Sequence, residues 1–206
     1  MDVILIHGMG RTPVSMLTLK RRLTKLGHTI HLFGYAAFAE KLDGVATRLA
    51  RRIEQEIGER PYAVIGHSLG SVILRRTLGE LTANPPRHCF FLAPPMRACK
   101  AARYFSRYRL YRALTGEMGG LLADEAFMQT LPLPANTTIY AGTAGPRTRW
   151  LPFGEETNDG ILSLEEATSA GSEAIQVAAT HTFIMNSQAV ADDIARRLAL
   201  AAAGQT

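Results

Sequence analysis

The chain has 206 residues, 47% of them apolar and 20% charged, with 23 Lys+Arg against 18 Asp+Glu and a net charge of +5. That length buries a core without covalent staples, and that balance excludes a disordered or fibrous chain. The two cysteines, Cys89 and Cys99, match neither a disulfide framework nor a zinc pattern and read as buried, reduced thiols of a cytosolic protein.

Met1-Asp2 runs straight into Val3–Ile6 with no charged leader, and no apolar run approaches the roughly 18 residues of a spanning helix. A soluble, cytoplasmic protein with no integral membrane segment is expected. Short apolar, β-branched runs follow one another at Val3–Ile6, Thr29–Leu32, Tyr62–Ile65, Cys89–Leu92, Thr137–Tyr140 and Ile175–Ala178. Between them, Met16-Leu19-Leu23-Leu26 and Val45-Leu49-Ile53-Ile57 keep the spacing of half-buried helices, and Val72–Leu81 and Ile184–Leu200 carry the same period. Strands nearly continuous in apolar residues belong to a sheet covered on both faces. The alternation predicts a doubly wound α/β fold with a mostly parallel six-stranded sheet. One domain over 1–206 is expected, with 94–136 too long for a single crossover and read as a helical, lid-like insertion.

The charge is local. Residues 96–112 hold six basic residues and no acid, which leaves 17 basic against 18 acidic residues elsewhere. A basic chain suggests nucleic acid or an anionic membrane, but one short stripe with no recognised module does not support a nucleic-acid partner. Tyr104, Tyr108 and Tyr111 fall at i, i+4 and i+7, with Arg97, Lys100, Arg103 and Arg107 beside them. On one continuous helix these stripes overlap, which weakens a membrane-surface helix. The alternatives are a solvated basic helix, transient contact with an anionic surface, or a substrate mouth formed with Arg11, Tyr104 and Tyr108.

Gly66-His67-Ser68-Leu69-Gly70 follows a strand run and opens a helical one, the context a G-x-S-x-G nucleophile elbow requires. Glycines two residues either side of the serine are needed where a Cβ would strike the adjacent strand and helix. A serine nucleophile needs a base, and the base an orienting acid. Beyond the elbow only His88 and His181 follow; His88 starts a strand, the wrong end of a parallel sheet, whereas His181 follows one. His181 is the expected base. The acid is Asp159 in the Asn158-Asp159-Gly160 turn, with Asp124 its rival and Glu155 and Glu156 weaker. Oxyanion donors are expected from the backbone N–H of Leu69 and of Met9 in the glycine-rich loop His7–Arg11. His7 reads as a loop ligand, His67 as pointing away from the nucleophile, and His28 and His31 as structural. No metal or cofactor is expected, because no HExxH pattern or dinucleotide fingerprint is present.

The His7-Gly8 pair, GHSLG at 66–70, the Asn158-Asp159-Gly160 loop and the late His181-Thr182-Phe183 resemble, in that order, the α/β-hydrolase family. They look most like its small lipase-like members, the GPI inositol-deacylase-like branch included. The resemblance implies a minimal version of that fold with strand order 2-1-3-4-5-6. It further implies Ser68 as nucleophile, Asp159 as acid, His181 as base and Met9 and Leu69 as donors. The implied reaction is cleavage of a small-molecule or lipid carboxylic ester, with a thioester or a catalytically idle binding protein as alternatives.

Overall fold

The computed structural model describes residues 1–81, 83–149, 153–168 and 173–202. Its strands are β1 (Asp2–Ile6), β2 (Thr29–Phe33), β3 (Tyr62–His67), β4 (His88–Leu92), β5 (Thr137–Gly142) and β6 (Glu173–Val177). They lie in the order β2-β1-β3-β4-β5-β6. Each neighbouring pair is parallel, so the sheet expected to be mostly parallel is wholly so among the described residues. The helices α1 (Leu17–Lys25), α2 (Leu42–Glu56) and α3 (Leu69–Leu78) connect the first strands. Then α4 (Lys100–Phe105), α5 (Arg109–Leu121) and α6 (Glu125–Thr130) precede β5, and α7 (Leu164–Ala167) and α8 (Gln188–Ala202) come last.

Successive side chains of a strand face opposite ways, and here both ways lead to a core. Ile4 and Ile6 join Val64, Phe91 and Ile139 beneath α2 and α3. Val3 and Leu5 join Ala63, Ile65, Phe90 and Tyr140 beneath α1 and α8. Burial of each such side chain contributes about 1.5–3 kcal/mol, which is why the central strands read as unbroken apolar runs. The register sets Ile6 opposite Gly66, so the loops leaving β1 and β3 emerge side by side where the strand order reverses.

Two helices start elsewhere than their apolar period suggests. α3 begins at Leu69, directly off the elbow, and ends before Gly79. The run from Ile184 splits into a 3-10 turn, Ile184–Asn186, and α8, because Ser187 is extended and its hydroxyl accepts from Val190 N–H. No helix among the described residues is long and apolar enough to cross a membrane.

The insertion between β4 and β5 is held to the sheet by a buried arginine. Arg75 of α3 donates from Nε to Pro132 O (3.0 Å) and from Nη2 to Leu131 O (2.7 Å), meeting carbonyls at the end of α6. With no carboxylate to offset it, burial lowers its pKa to about 10. Replacing Arg75 with Leu strips those carbonyls of their donors and should cost about 2–3 kcal/mol, read from the urea midpoint. Lys, lacking the planar fork, should recover less than half of it.

Candidate active site

Ser68 sits between β3 and α3 at φ 51°, ψ −121°, a conformation rare for a side-chain-bearing residue. Its neighbours allow the turn. A Cβ on Gly66 would lie 2.7 Å from the Ser71 backbone N, and one on Gly70 would lie 2.6 Å from Ile6 O of β1. The close approach of helix and strand thus accounts for both glycines. Ser68 N–H donates to Leu92 O (2.9 Å), prolonging the sheet ladder by one bond. Leu69 is the first residue of α3, where backbone N–H groups lack a carbonyl of their own helix. In the loop after β1, Arg11 N–H donates to Gly8 O (3.3 Å) across a turn that Gly10 completes at φ +66°.

The loops after β5 and β6 bring the remaining polar groups to this point. His181 Nε2 accepts from Ser68 Oγ–H at 2.9 Å, and His181 Nδ1–H donates to Asp159 Oδ2 at 2.7 Å. Asp159 is 2% exposed and His181 5%. The second carboxylate oxygen, Oδ1, accepts from Ile161 N–H (2.9 Å) and Leu162 N–H (2.7 Å). The structure therefore joins Ser68, His181 and Asp159 in one hydrogen-bonded chain. The rival acid is elsewhere: Asp124 caps α6, its Oδ1 accepting from Phe127 N–H at 3.1 Å. His88 lies at the start of β4 and bonds Thr138 Oγ1.

Some neighbours of this chain were not singled out by sequence. Asn158 is fully buried and ties its loop together, Nδ2 donating to Pro146 O and Glu156 O and Oδ1 accepting from Gly160 N–H. A Cβ on Gly142 would strike Ala179 O at 2.6 Å, and one on Gly145 would overlap Asn158 Oδ1 at 1.9 Å. These glycines let the loops that carry Asp159 and His181 close on each other; their signal was two glycines just past a strand run.

His67 corrects an expectation. It does not turn away from the site: its Nε2–H donates to the His181 carbonyl at 2.9 Å, and the two rings lie 5.1 Å apart. The signal was the parity of β3, which puts His67 on the same face as Ala63 and Ile65, the side from which the loop ahead of α8 descends. Burial above all, then the charge His181 would carry, holds the His67 imidazole well below the usual value of 6.5. His7 has the loop role expected, Nδ1–H donating to Gly8 O (2.9 Å) and its ring stacked on Tyr35.

A cavity of about 300 Å³ opens over Ser68. Its wall includes Met9, Arg11, Cys99, Phe105, Tyr111 and Leu122. Arg11 reaches across it, Nη2 donating to Thr182 O at 3.4 Å. Tyr104 and Tyr108 do not line it; they are 46% and 48% exposed and flank Arg107. The i, i+4, i+7 series assumed one helix, whereas the chain breaks between α4 and α5, and Phe105 and Tyr111 border the cavity instead. Burial pushes the Cys99 thiol above its ordinary range, which disfavours the thiolate. Among the described residues no three His, Cys, Asp or Glu side chains cluster as metal ligands would.

The model of the alpha/beta hydrolase family matches residues 3–205. No curated protein is matched in sequence. Among solved structures, the chain is similar to the mature lipase BlEst2 of Bacillus licheniformis, with a TM-score of 0.69 at 13% identity over 96% of this chain and 91% of that one. A lipase-esterase related protein of Clostridium acetobutylicum gives a TM-score of 0.62 at 14% identity over 95% and 93%. The RedJ thioesterase of prodiginine biosynthesis in Streptomyces coelicolor gives 0.61 at 16% over 97% and 85%. At these identities the likeness is one of fold.

The buried histidines set a pH dependence. The pKa values of buried His7, His67 and His88 and of half-buried His28 are all lowered, each first through desolvation, which disfavours the charged form. Below 6.5 the unfolded chain therefore binds more protons than the folded one, and stability falls with falling pH. Urea midpoints taken on either side of that value should drop toward acid, and His67→Phe should flatten the dependence. Equal midpoints would refute the assignment of these rings as neutral.

Proposed function

The chain belongs to the alpha/beta hydrolase family, and on that premise we propose that it is a serine hydrolase cleaving carboxylic esters through an acyl-enzyme on Ser68. The carrying observation is the chain Ser68 Oγ, His181, Asp159, with links of 2.9 and 2.7 Å, rising at the elbow into the cavity.

In this reading Ser68 Oγ attacks the ester carbonyl carbon as its proton passes to His181 Nε2. Negative charge gathers on the carbonyl oxygen, where the backbone N–H groups of Met9 and Leu69 stabilise it. The C–O bond to the alcohol then breaks, and His181 returns the proton to the departing oxygen. Water enters, gives a proton to His181 and its oxygen to the acyl carbon; collapse frees the acid and restores the Ser68 hydroxyl. Asp159 keeps the Nδ1–H tautomer and offsets the imidazolium. The mostly apolar cavity wall suits the acyl chain, and Arg11 meets a polar part of the ester at the mouth. A thioester fits the same steps, with a thiolate leaving in place of an alkoxide.

A fluorophosphonate probe should label Ser68 in the folded protein, and Ser68→Ala should abolish both labelling and turnover of p-nitrophenyl esters. Failure of the folded protein to react would refute the reading in favour of an idle binding protein. Asp159→Asn should lower kcat by orders of magnitude, on the order of 10⁴-fold where the tautomer is lost. Asp124→Ala should leave kcat unchanged and cost about 1 kcal/mol of stability, as a lost cap does. Matched ester and thioester series compare the two substrate classes.

A further inference from the structure

The insertion gathers cations and apolar side chains at one tip. Of the six basic residues in 96–112, Arg97 pairs with Glu165 (2.6 Å), Lys100 with Glu156 (2.7 Å) and Arg103 with Glu125 (3.2 Å). The other three, Arg107, Arg109 and Arg112, are exposed and have no carboxylate partner among the described residues. Arg107 lies over the Tyr104 ring at 3.8 Å, and Arg112 leans on Ser106 O. Between Met96 and Ala123 the sole acid is Glu117.

Around these arginines the apolar surface is equally unpaired. Leu110 is 71% and Leu114 63% exposed, one turn apart on α5. Phe38, 67% exposed, sits on the loop that meets α5 at Gly116, where a Cβ would lie 2.6 Å from Ala37 O. The break between α4 and α5 removes the objection that a single continuous helix would superimpose its charged and apolar stripes.

We propose that the α4–α5 tip docks on an anionic phospholipid surface, with Arg107, Arg109 and Arg112 on headgroup phosphates and Leu110, Leu114 and Phe38 in the acyl boundary. Charge complementarity selects an anionic partner. On α5 the two kinds are sorted by face, Leu110 and Leu114 one turn apart on one side and Arg109 and Arg112 one turn apart on another, which is the separation a lipid boundary accepts. There the guanidinium groups reach outward to the headgroups while their stems stay with the apolar layer. The tip is also continuous with the cavity, since Phe105 ends α4 and lines the cavity wall. Docking needs no turnover and stands whether or not Ser68 is a nucleophile.

The test uses Ser68→Ala protein and co-sedimentation with vesicles of phosphatidylcholine alone or mixed equally with phosphatidylglycerol. Binding should favour the anionic vesicles and weaken as salt rises. Each arginine near such a surface contributes roughly fivefold to partitioning, so Arg107→Gln/Arg109→Gln should bind on the order of twentyfold less. Leu110→Ser/Leu114→Ser should lose the part of the binding that survives high salt. These side chains are exposed, and unchanged thermal unfolding of each variant checks that the fold is kept. Equal sedimentation with both vesicle types, or variants that bind as well as the parent, would overturn the proposal. So would a dimer in light scattering that the same variants dissociate, which would make the tip a contact between copies. Failure of the unsubstituted protein to label at Ser68, with vesicle binding of the Ser68→Ala protein intact, would refute the hydrolase reading alone.

Discussion

The strained backbone of Ser68 is the constraint on which the site depends. A non-glycine residue at φ 51°, ψ −121° costs about 1–3 kcal/mol and persists only where its surroundings over-determine it. The surroundings here are the packing of α3 against β1 and β3. Gly70 lets the helix touch Ile6 O, and Gly66 lets it begin within contact of β3. One turn therefore sets three things together: the height of the serine hydroxyl, the direction of α3, and the approach of the Gly8–Arg11 turn. Gly8 completes this, since a Cβ there would lie 2.7 Å from His67 Nδ1 and 3.1 Å from Ser68 Cβ.

The same crowding recurs on the other side of the site. His181 N–H donates to Asp159 O at 2.9 Å, so the two loops are joined through backbone as well as through the imidazole. Gly142 and Gly145 are small because that junction leaves no room, and Asn158 supplies the loop with the hydrogen bonds a buried backbone needs. Side-chain geometry at Asp159 thus follows from glycines as far away in sequence as Gly142. The insertion adds to this hold, since Lys100 pairs with Glu156 (2.7 Å) and Met96 N–H donates to Glu166 O (2.8 Å) on either side of Asp159.

Much of this was legible in the sequence, for identifiable reasons. Buried parallel strands must be apolar on both faces, and the runs at Val3–Ile6 and Cys89–Leu92 say so directly. The elbow was legible because its glycines answer a steric demand at fixed spacing. Asp159 and His181 were singled out by their place after strands and are hydrogen-bonded in line with Ser68, whereas the Asp124 carboxylate caps α6, which the sequence did not announce. The direction of His67 was within reach through strand parity. The tyrosines were not: Ser106-Arg107-Tyr108 contains no Pro or Gly to announce that α4 ends, so helical spacing ran on through a turn. Charge counting had a similar limit, because the acids that neutralise Arg97, Lys100 and Arg103 lie up to 68 residues away in sequence.

The histidines carry the last step of the argument. Of the imidazoles near the elbow, His181 bonds the serine and His67 bonds the His181 carbonyl, while His7 stacks on Tyr35; burial lowers the pKa of His7 and His67. A second cation beside His181 would oppose any proton it accepts, since like charges a few ångströms apart each disfavour the other's charged form. Keeping His67 neutral with its proton on Nε2 removes that penalty and uses the ring as a donor to the His181 carbonyl. Its other nitrogen, Nδ1, is buried without a partner among the described residues, which costs free energy. That cost is consistent with a ring positioned for the loop it holds rather than for its own hydrogen bonding, while the Asp159 carboxylate faces the other imidazole, Oδ2 accepting from His181 Nδ1–H.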